Sequence, residues 1–117
     1  MLFVCYPKCT TCQKAKKWLD ENKIEYVQRD IKTENPSYEE LKEWLAKSGL
    51  DIKRFFNTSG LLYKSMNLKD KLPEMSDEEK LRLLATDGML VKRPLLVCEN
   101  TVLVGFKEKE WEWLKDE

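Results

Sequence analysis

The chain contains no histidine, which removes a Cys–His nucleophile pair and leaves a closed zinc site of the Cys/His type only its four cysteines. It also lacks net charge. Twenty-one basic side chains balance 21 acidic ones and no clear basic patch stands out, so direct binding of nucleic acid is not expected. Long apolar runs are absent too: no segment approaches the ~20 residues that cross a bilayer. The N-terminus, MLFVCYPKC, lacks the basic start and extended apolar stretch of a secretory signal. A cytosolic protein without membrane association is expected. There Cys5, Cys9, Cys12 and Cys98 read as catalytic, metal-binding or buried thiols rather than as a structural disulfide framework. The chain shows no internal repeat, low-complexity tract or interdomain linker.

What is present is enough for one domain over residues 1–117, with 42% hydrophobic residues for a core and 36% charged residues for a mixed surface. Leu2 to Tyr6 is a compact apolar run stopped by Pro7, a short buried strand. From Thr10 to about Asn22, Ala15, Trp18 and Leu19 recur at helical spacing among lysines, and Ile24 to Ile31 alternates as a second strand. Strand, helix, strand within about thirty residues is a right-handed βαβ unit with parallel strands. An all-helical insert over about 35–90 follows. Ser37 with Glu40, and Ser76 with Glu79, have capping-box spacing and open two helices that Gly49 and Gly88 should close. Ile52 to Leu72, with its turn-prone Asn57-Thr58-Ser59-Gly60, reads as short helical pieces around one loop. After Arg93-Pro94, Leu95–Cys98 and Thr101–Val104 flank Glu99-Asn100 as a tight hairpin, and Lys107 to Leu114 is a closing helix.

Cys9-Thr10-Thr11-Cys12 is a C-x-x-C placed after a strand and at the opening of a helix in a βαβ unit, the setting in which this motif is redox-active. Unpaired backbone N–H groups and the positive end of the helix dipole favour a thiolate there. Cys9 is the expected nucleophile. Cys12, about one turn further on, is placed to attack a mixed disulfide on Cys9 and release its partner. Cys5, Cys9 and Cys12 also spell C-x3-C-x2-C, an iron–sulfur spacing of radical S-adenosylmethionine enzymes. Those enzymes need a far larger barrel, and Cys5 lies in a strand where a buried thiol is the ordinary reading. A zinc site would have to draw Cys98 from a distant strand. No metal site is expected.

The segments Tyr6-Pro7-Lys8-Cys9-Thr10-Thr11-Cys12-Gln13-Lys14-Ala15, Arg54-Phe55-Phe56-Asn57-Thr58-Ser59-Gly60 and Val91-Lys92-Arg93-Pro94 resemble the arsenate reductase and Spx-like family across essentially the whole chain. The resemblance implies an α/β thioredoxin-like fold, β-α-β, helical insert, β-β-α, on a small mixed four-stranded sheet, with Pro94 as a cis proline beside the thiols. A monomer that binds no cofactor is expected, and the resemblance implies glutathione, glutaredoxin or thioredoxin as the electron donor. Cys9 matches the family's nucleophile, and Arg54 and Arg93 match two arginines that hold an oxyanion such as arsenate. The third arginine is replaced by Phe106 in Val104-Gly105-Phe106-Lys107, which is closer to Spx-type sequences. Two functions follow as expectations: a thiol–disulfide oxidoreductase acting on a disulfide, glutathione adduct or oxyanion, or a redox-sensing regulator that binds the RNA polymerase alpha subunit.

Overall fold

A computed structural model describes residues 1–116; Glu117, the last residue of the expected domain, lies outside them. Four strands form one mixed sheet in the order β2-β1-β3-β4, where β1 is Leu2–Cys5, β2 Val27–Asp30, β3 Leu95–Val97 and β4 Val102–Val104. β1 pairs in parallel with β2 and antiparallel with β3, and β3 pairs antiparallel with β4. The fold is thioredoxin-like, with the helical segment between β2 and β3 as an insert.

Period-2 alternation divides the core between the two faces of the sheet. Phe3, Cys5 and Leu96 face the first helix, α1 (Thr10–Glu21), whose buried stripe is Cys12, Ala15, Trp18 and Leu19. Trp111 and Leu114 complete that side from the C-terminal helix, α6 (Glu108–Trp111), and the 3-10 turn that continues it to Asp116. Val4, Leu95, Val102 and Val104 face the insert on the other side.

The insert contains α2 (Tyr38–Ser48), a 3-10 turn over Ile52–Phe55, α3 (Leu61–Ser65), α4 (Leu68–Lys71) and α5 (Asp77–Leu84). Both capping boxes form as the sequence implies, and Gly49 ends α2 with φ +69°. Three boundaries differ from the sequence expectations. The second strand begins at Val27, because Lys23 takes φ 55° and the Ile24 N–H folds back to the Leu19 carbonyl, closing α1 instead of extending β2. α5 ends at Leu84, and Gly88 opens a separate 3-10 turn over Gly88–Leu90. β3 and β4 stop at Val97 and Val102, each one residue short of the expected strand, while the Cys98 N–H on the Thr101 carbonyl closes the expected two-residue turn Glu99-Asn100.

At the end of β2 the Arg29 guanidinium holds α2 in place through the Glu40 carboxylate, at 2.6 and 2.9 Å, and also donates to the Glu34 and Asn35 carbonyls. The Arg29 hydrogen bonds, with the Ser37 N–H, bring the Glu40 carboxyl down to about 2. The ordinary glutamate value of ~4.3 applies in the unfolded chain. The pair therefore stabilises fully above that value and loses its effect as pH falls toward about 2. Glu40→Gln should cost about 1–2 kcal/mol at neutral pH, after allowance for the partial exposure of Glu40, and almost nothing near pH 2; urea unfolding at the two pH values measures it.

Candidate active site

β1 ends at Cys5, and the chain turns through Tyr6-Pro7-Lys8 so that Cys9 becomes the N-cap of α1 in extended backbone geometry. The turn is closed by the Cys9 N–H on the Tyr6 carbonyl at 2.9 Å and held from the side by the Gln13 amide on the Pro7 carbonyl at 2.9 Å. No side chain caps the helix by a hydrogen bond, and among its first N–H groups that of Cys12 acts on the Cys9 thiol. Cys9 is half-buried, whereas Cys12 is only 2% exposed and accepts the Tyr6 N–H on its Sγ at 3.3 Å.

These positions separate the two thiols chemically. Burial by itself would push the Cys9 thiol up, but the Cys12 N–H, the Cys12 thiol and the hydrogen bond and charge of Arg93 outweigh it, so Cys9 ionises below its ordinary value. Cys12 goes the other way, pushed up to about 12 by burial first and then by the neighbouring Cys9 and Cys5 thiols. Of the two thiols Cys9 therefore ionises first, and the thiolate that forms there stands beside a protonated Cys12. Cys5 is buried in β1 and its thiol is raised chiefly by that burial, in line with the buried-thiol reading.

Arg93 reaches Cys9 from the bend that precedes β3. Its Arg93-Pro94 bond is cis, as the resemblance implies, and its guanidinium stands 5.4 Å from the Tyr6 ring centre. Nε and Nη1 are buried and have no hydrogen-bond partner among the described residues, which leaves the guanidinium donor capacity. Arg54 stands elsewhere: it is exposed and lines a cleft of about 380 Å³ with Lys92 and Thr58, and no hydrogen bond or ion pair among the described residues joins it to Cys9 or Arg93. The structure thus brings Cys9, Cys12 and Arg93 together, with the cis Pro94 following Arg93 in the chain, and sets Arg54 in the cleft lined by Lys92.

The Gly105 N–H donates to the Pro94 carbonyl at 2.8 Å, continuing the β3–β4 ladder by one pair. Beyond Gly105, whose φ of +73° ends the strand, Phe106 packs against the same buried cluster as Cys9. The Phe106 ring packs edge-on against Trp111 at 4.9 Å and near Trp18 at 6.2 Å, so this flank of the site is aromatic. Tyr6 and Gln13 were not separately assigned roles from sequence; their place in the segment around Cys9 was the signal available.

Arg93→Leu should raise the Cys9 thiol toward its ordinary value, because a hydrogen bond and a positive charge are both lost. The pH dependence of iodoacetamide alkylation of Cys9 measures this, with the midpoint moving up relative to the unaltered protein. An unmoved midpoint would show that the helix N–H groups alone set the thiolate.

A strand, an N-capping thiol, a second thiol one turn on and an adjacent cis proline define a thioredoxin-fold protein with a C-x-x-C at its helix start. Residues 5–114 match the family described as the ArsC family, and the chain belongs to that family. It is 55% identical to the uncharacterised protein YusI of Bacillus subtilis, over 96% of this chain and 95% of that one. It is 34% identical to the regulatory protein MgsR of the same organism, over 94% of this chain and 86% of that one. The crystal structure of an ArsC family related protein from Bacteroides fragilis superposes with a TM-score of 0.95 at 62% identity, covering 97% and 95% of the two chains. Among the described residues, no helix is long and apolar enough to cross a membrane.

Proposed function

We propose that this chain is a thiol–disulfide oxidoreductase in which Cys9 attacks and Cys12 resolves. The observation that supports it most is the opposed ionisation of the two thiols, Cys9 down and Cys12 up to about 12. The Cys9 thiolate attacks one sulfur of a substrate disulfide, forming a mixed disulfide and expelling the other sulfur as a thiolate that takes a proton from solvent. Cys9 is then neutral, and its charge no longer opposes ionisation of Cys12. Cys12 loses its proton and attacks the Cys9 sulfur, giving the Cys9–Cys12 disulfide and releasing the second substrate thiolate. The substrate is reduced by two electrons, and a thiol donor such as glutathione, glutaredoxin or thioredoxin returns the pair to the dithiol.

A disulfide or glutathione adduct suits the site better than arsenate. A trianionic transition state needs several cationic donors, whereas among the described residues Arg93 supplies the one guanidinium that acts on Cys9 and the aromatic Phe106 packs against the same cluster as Cys9. NADPH-coupled turnover in the presence of glutathione and glutaredoxin tests the choice. A glutathionylated peptide should be reduced and arsenate should give little or no turnover. Arsenate turnover comparable to that of the peptide would overturn the preference, and no turnover of either would remove the enzyme reading. Similarity to a regulatory protein favours a second reading, in which the same thiol pair is a redox switch and the oxidised form binds the RNA polymerase alpha subunit. Titration of that subunit's C-terminal domain with oxidised and reduced protein decides it, redox-dependent binding being the expected result.

A further inference from the structure

Although the sequence is neutral overall, the folded insert gathers positive charge on one face. Three clefts of about 220, 380 and 300 Å³ adjoin one another there, sharing Asp51, Lys53, Phe56, Thr58, Tyr63 and Lys69 among their walls. Six cations line them, Lys53, Arg54, Lys64, Lys69, Lys80 and Lys92, against a single acid, Asp51. None of the six takes part in an ion pair among the described residues. The nearby acids are directed to other tasks: Glu78 pairs with Arg82, Glu79 closes the α5 capping box, and neither Asp70 nor Glu74 lines a cleft. The smallest cleft has an apolar floor of Phe56, Tyr63, Leu72 and Pro73 under its rim of lysines.

Six unpaired cations in a concave region repel one another, a cost that an anionic partner relieves. The apolar floor says what kind of anion. A phosphate backbone has no group for a recess of about 220 Å³ floored by Phe56 and Leu72, whereas a peptide carries carboxylates and a hydrophobic side chain on one strand. Position completes the argument, since Lys92 lines the 380 Å³ cleft while Arg93, the next residue, faces the thiols.

The geometry points to the insert face as the docking surface for an acidic protein segment that seats one apolar side chain between Lys53, Lys69 and Lys80. Binding of that segment stands on the clefts alone; that it carries a disulfide to Cys9 rests on the function proposed above. The preferred substrate is then an acidic protein rather than free glutathione disulfide.

Fluorescence anisotropy with a labelled glutamate-rich peptide containing one phenylalanine tests the surface at low ionic strength. The triple variant Lys53→Glu, Lys69→Glu, Lys80→Glu should weaken binding by at least about tenfold. A control of equal charge change away from the clefts, Lys14→Glu, Lys17→Glu, Lys109→Glu, should weaken it by less than about threefold, as screened distant charges do. Exchanging the peptide's phenylalanine for alanine should cost about tenfold. Circular dichroism establishes that both triple variants are folded. Equal losses in the two triple variants, indifference to the phenylalanine, or tighter binding of a duplex DNA through the same lysines would each overturn the assignment. Cys9→Ser should bind the peptide like the unaltered protein, so a failed docking surface and a failed thiol reading give different results.

Discussion

Cys9→Ser lowers the reduction of a glutathionylated peptide by at least about 10³-fold, because an alkoxide is not available at neutral pH to replace the thiolate that the site is arranged to hold. Cys12→Ser gives a different result. Cys9 keeps the Cys12 backbone N–H and Arg93, so it still attacks, but nothing resolves the adduct within the protein, and a mixed disulfide at Cys9 accumulates. Mass spectrometry of the two variants after exposure to the peptide separates these roles: no adduct on Cys9→Ser, one stoichiometric adduct on Cys12→Ser. The Cys12 variant should be less impaired where external glutathione is abundant, since glutathione then performs the resolving step. A Cys9→Ser protein that retained turnover would overturn the assignment of Cys9, and an adduct placed on Cys5 would show that the buried thiol is accessible, contrary to its 2% exposure.

The βαβ start, the capping boxes and the thiol pair were legible because each rests on local spacing. Apolar positions in α1 repeat with the helical period, Ser37 and Ser76 meet a glutamate three residues on, and Cys9 and Cys12 bracket the first turn of a helix. The boundaries that sequence misplaced depend on contacts it does not carry. Ile24 to Tyr26 alternates well enough for a strand, yet strand pairing begins only at Val27, where the N–H reaches the Met1 carbonyl. The cationic face was hidden for a similar reason: its members come from positions 53 to 92, separated by acids, and only the fold brings them to one surface. The resemblance names Arg93, but the burial of its Nε and Nη1 without a partner among the described residues, and its guanidinium over the Tyr6 ring, are facts of tertiary structure.

Gly88→Ala should be among the most destabilising single-methyl additions in the chain. A Cβ built there lies 1.7 Å from the Ile31 carbonyl oxygen and 2.7 Å from its carbon, both backbone atoms, so no side-chain rotation relieves the overlap. Neither segment is free to retreat. The Ile31 N–H is bonded to the Cys5 carbonyl at the end of β1, and its side chain is fully buried. On the other side, the Leu90 carbonyl accepts the Asn57 N–H, and Val91 bridges Phe56 just before Arg93 and Pro94. A loss of about 3 kcal/mol or more is expected, a fall in Tm on the order of 10 °C or more. Gly49→Ala provides the comparison: its φ of +69° is costly for an L-residue, but nothing lies within 4 Å, so about 1 kcal/mol is expected. The 3-10 turn at Gly88 leads directly to Arg93, so the Gly88 variant should also lose part of the downward shift of the Cys9 thiol, whereas the Gly49 variant should keep it. Equal stability losses in the two glycine variants would show that the contact with Ile31 yields. An unmoved Cys9 midpoint in a destabilised Gly88 variant would show that the turn does not position Arg93.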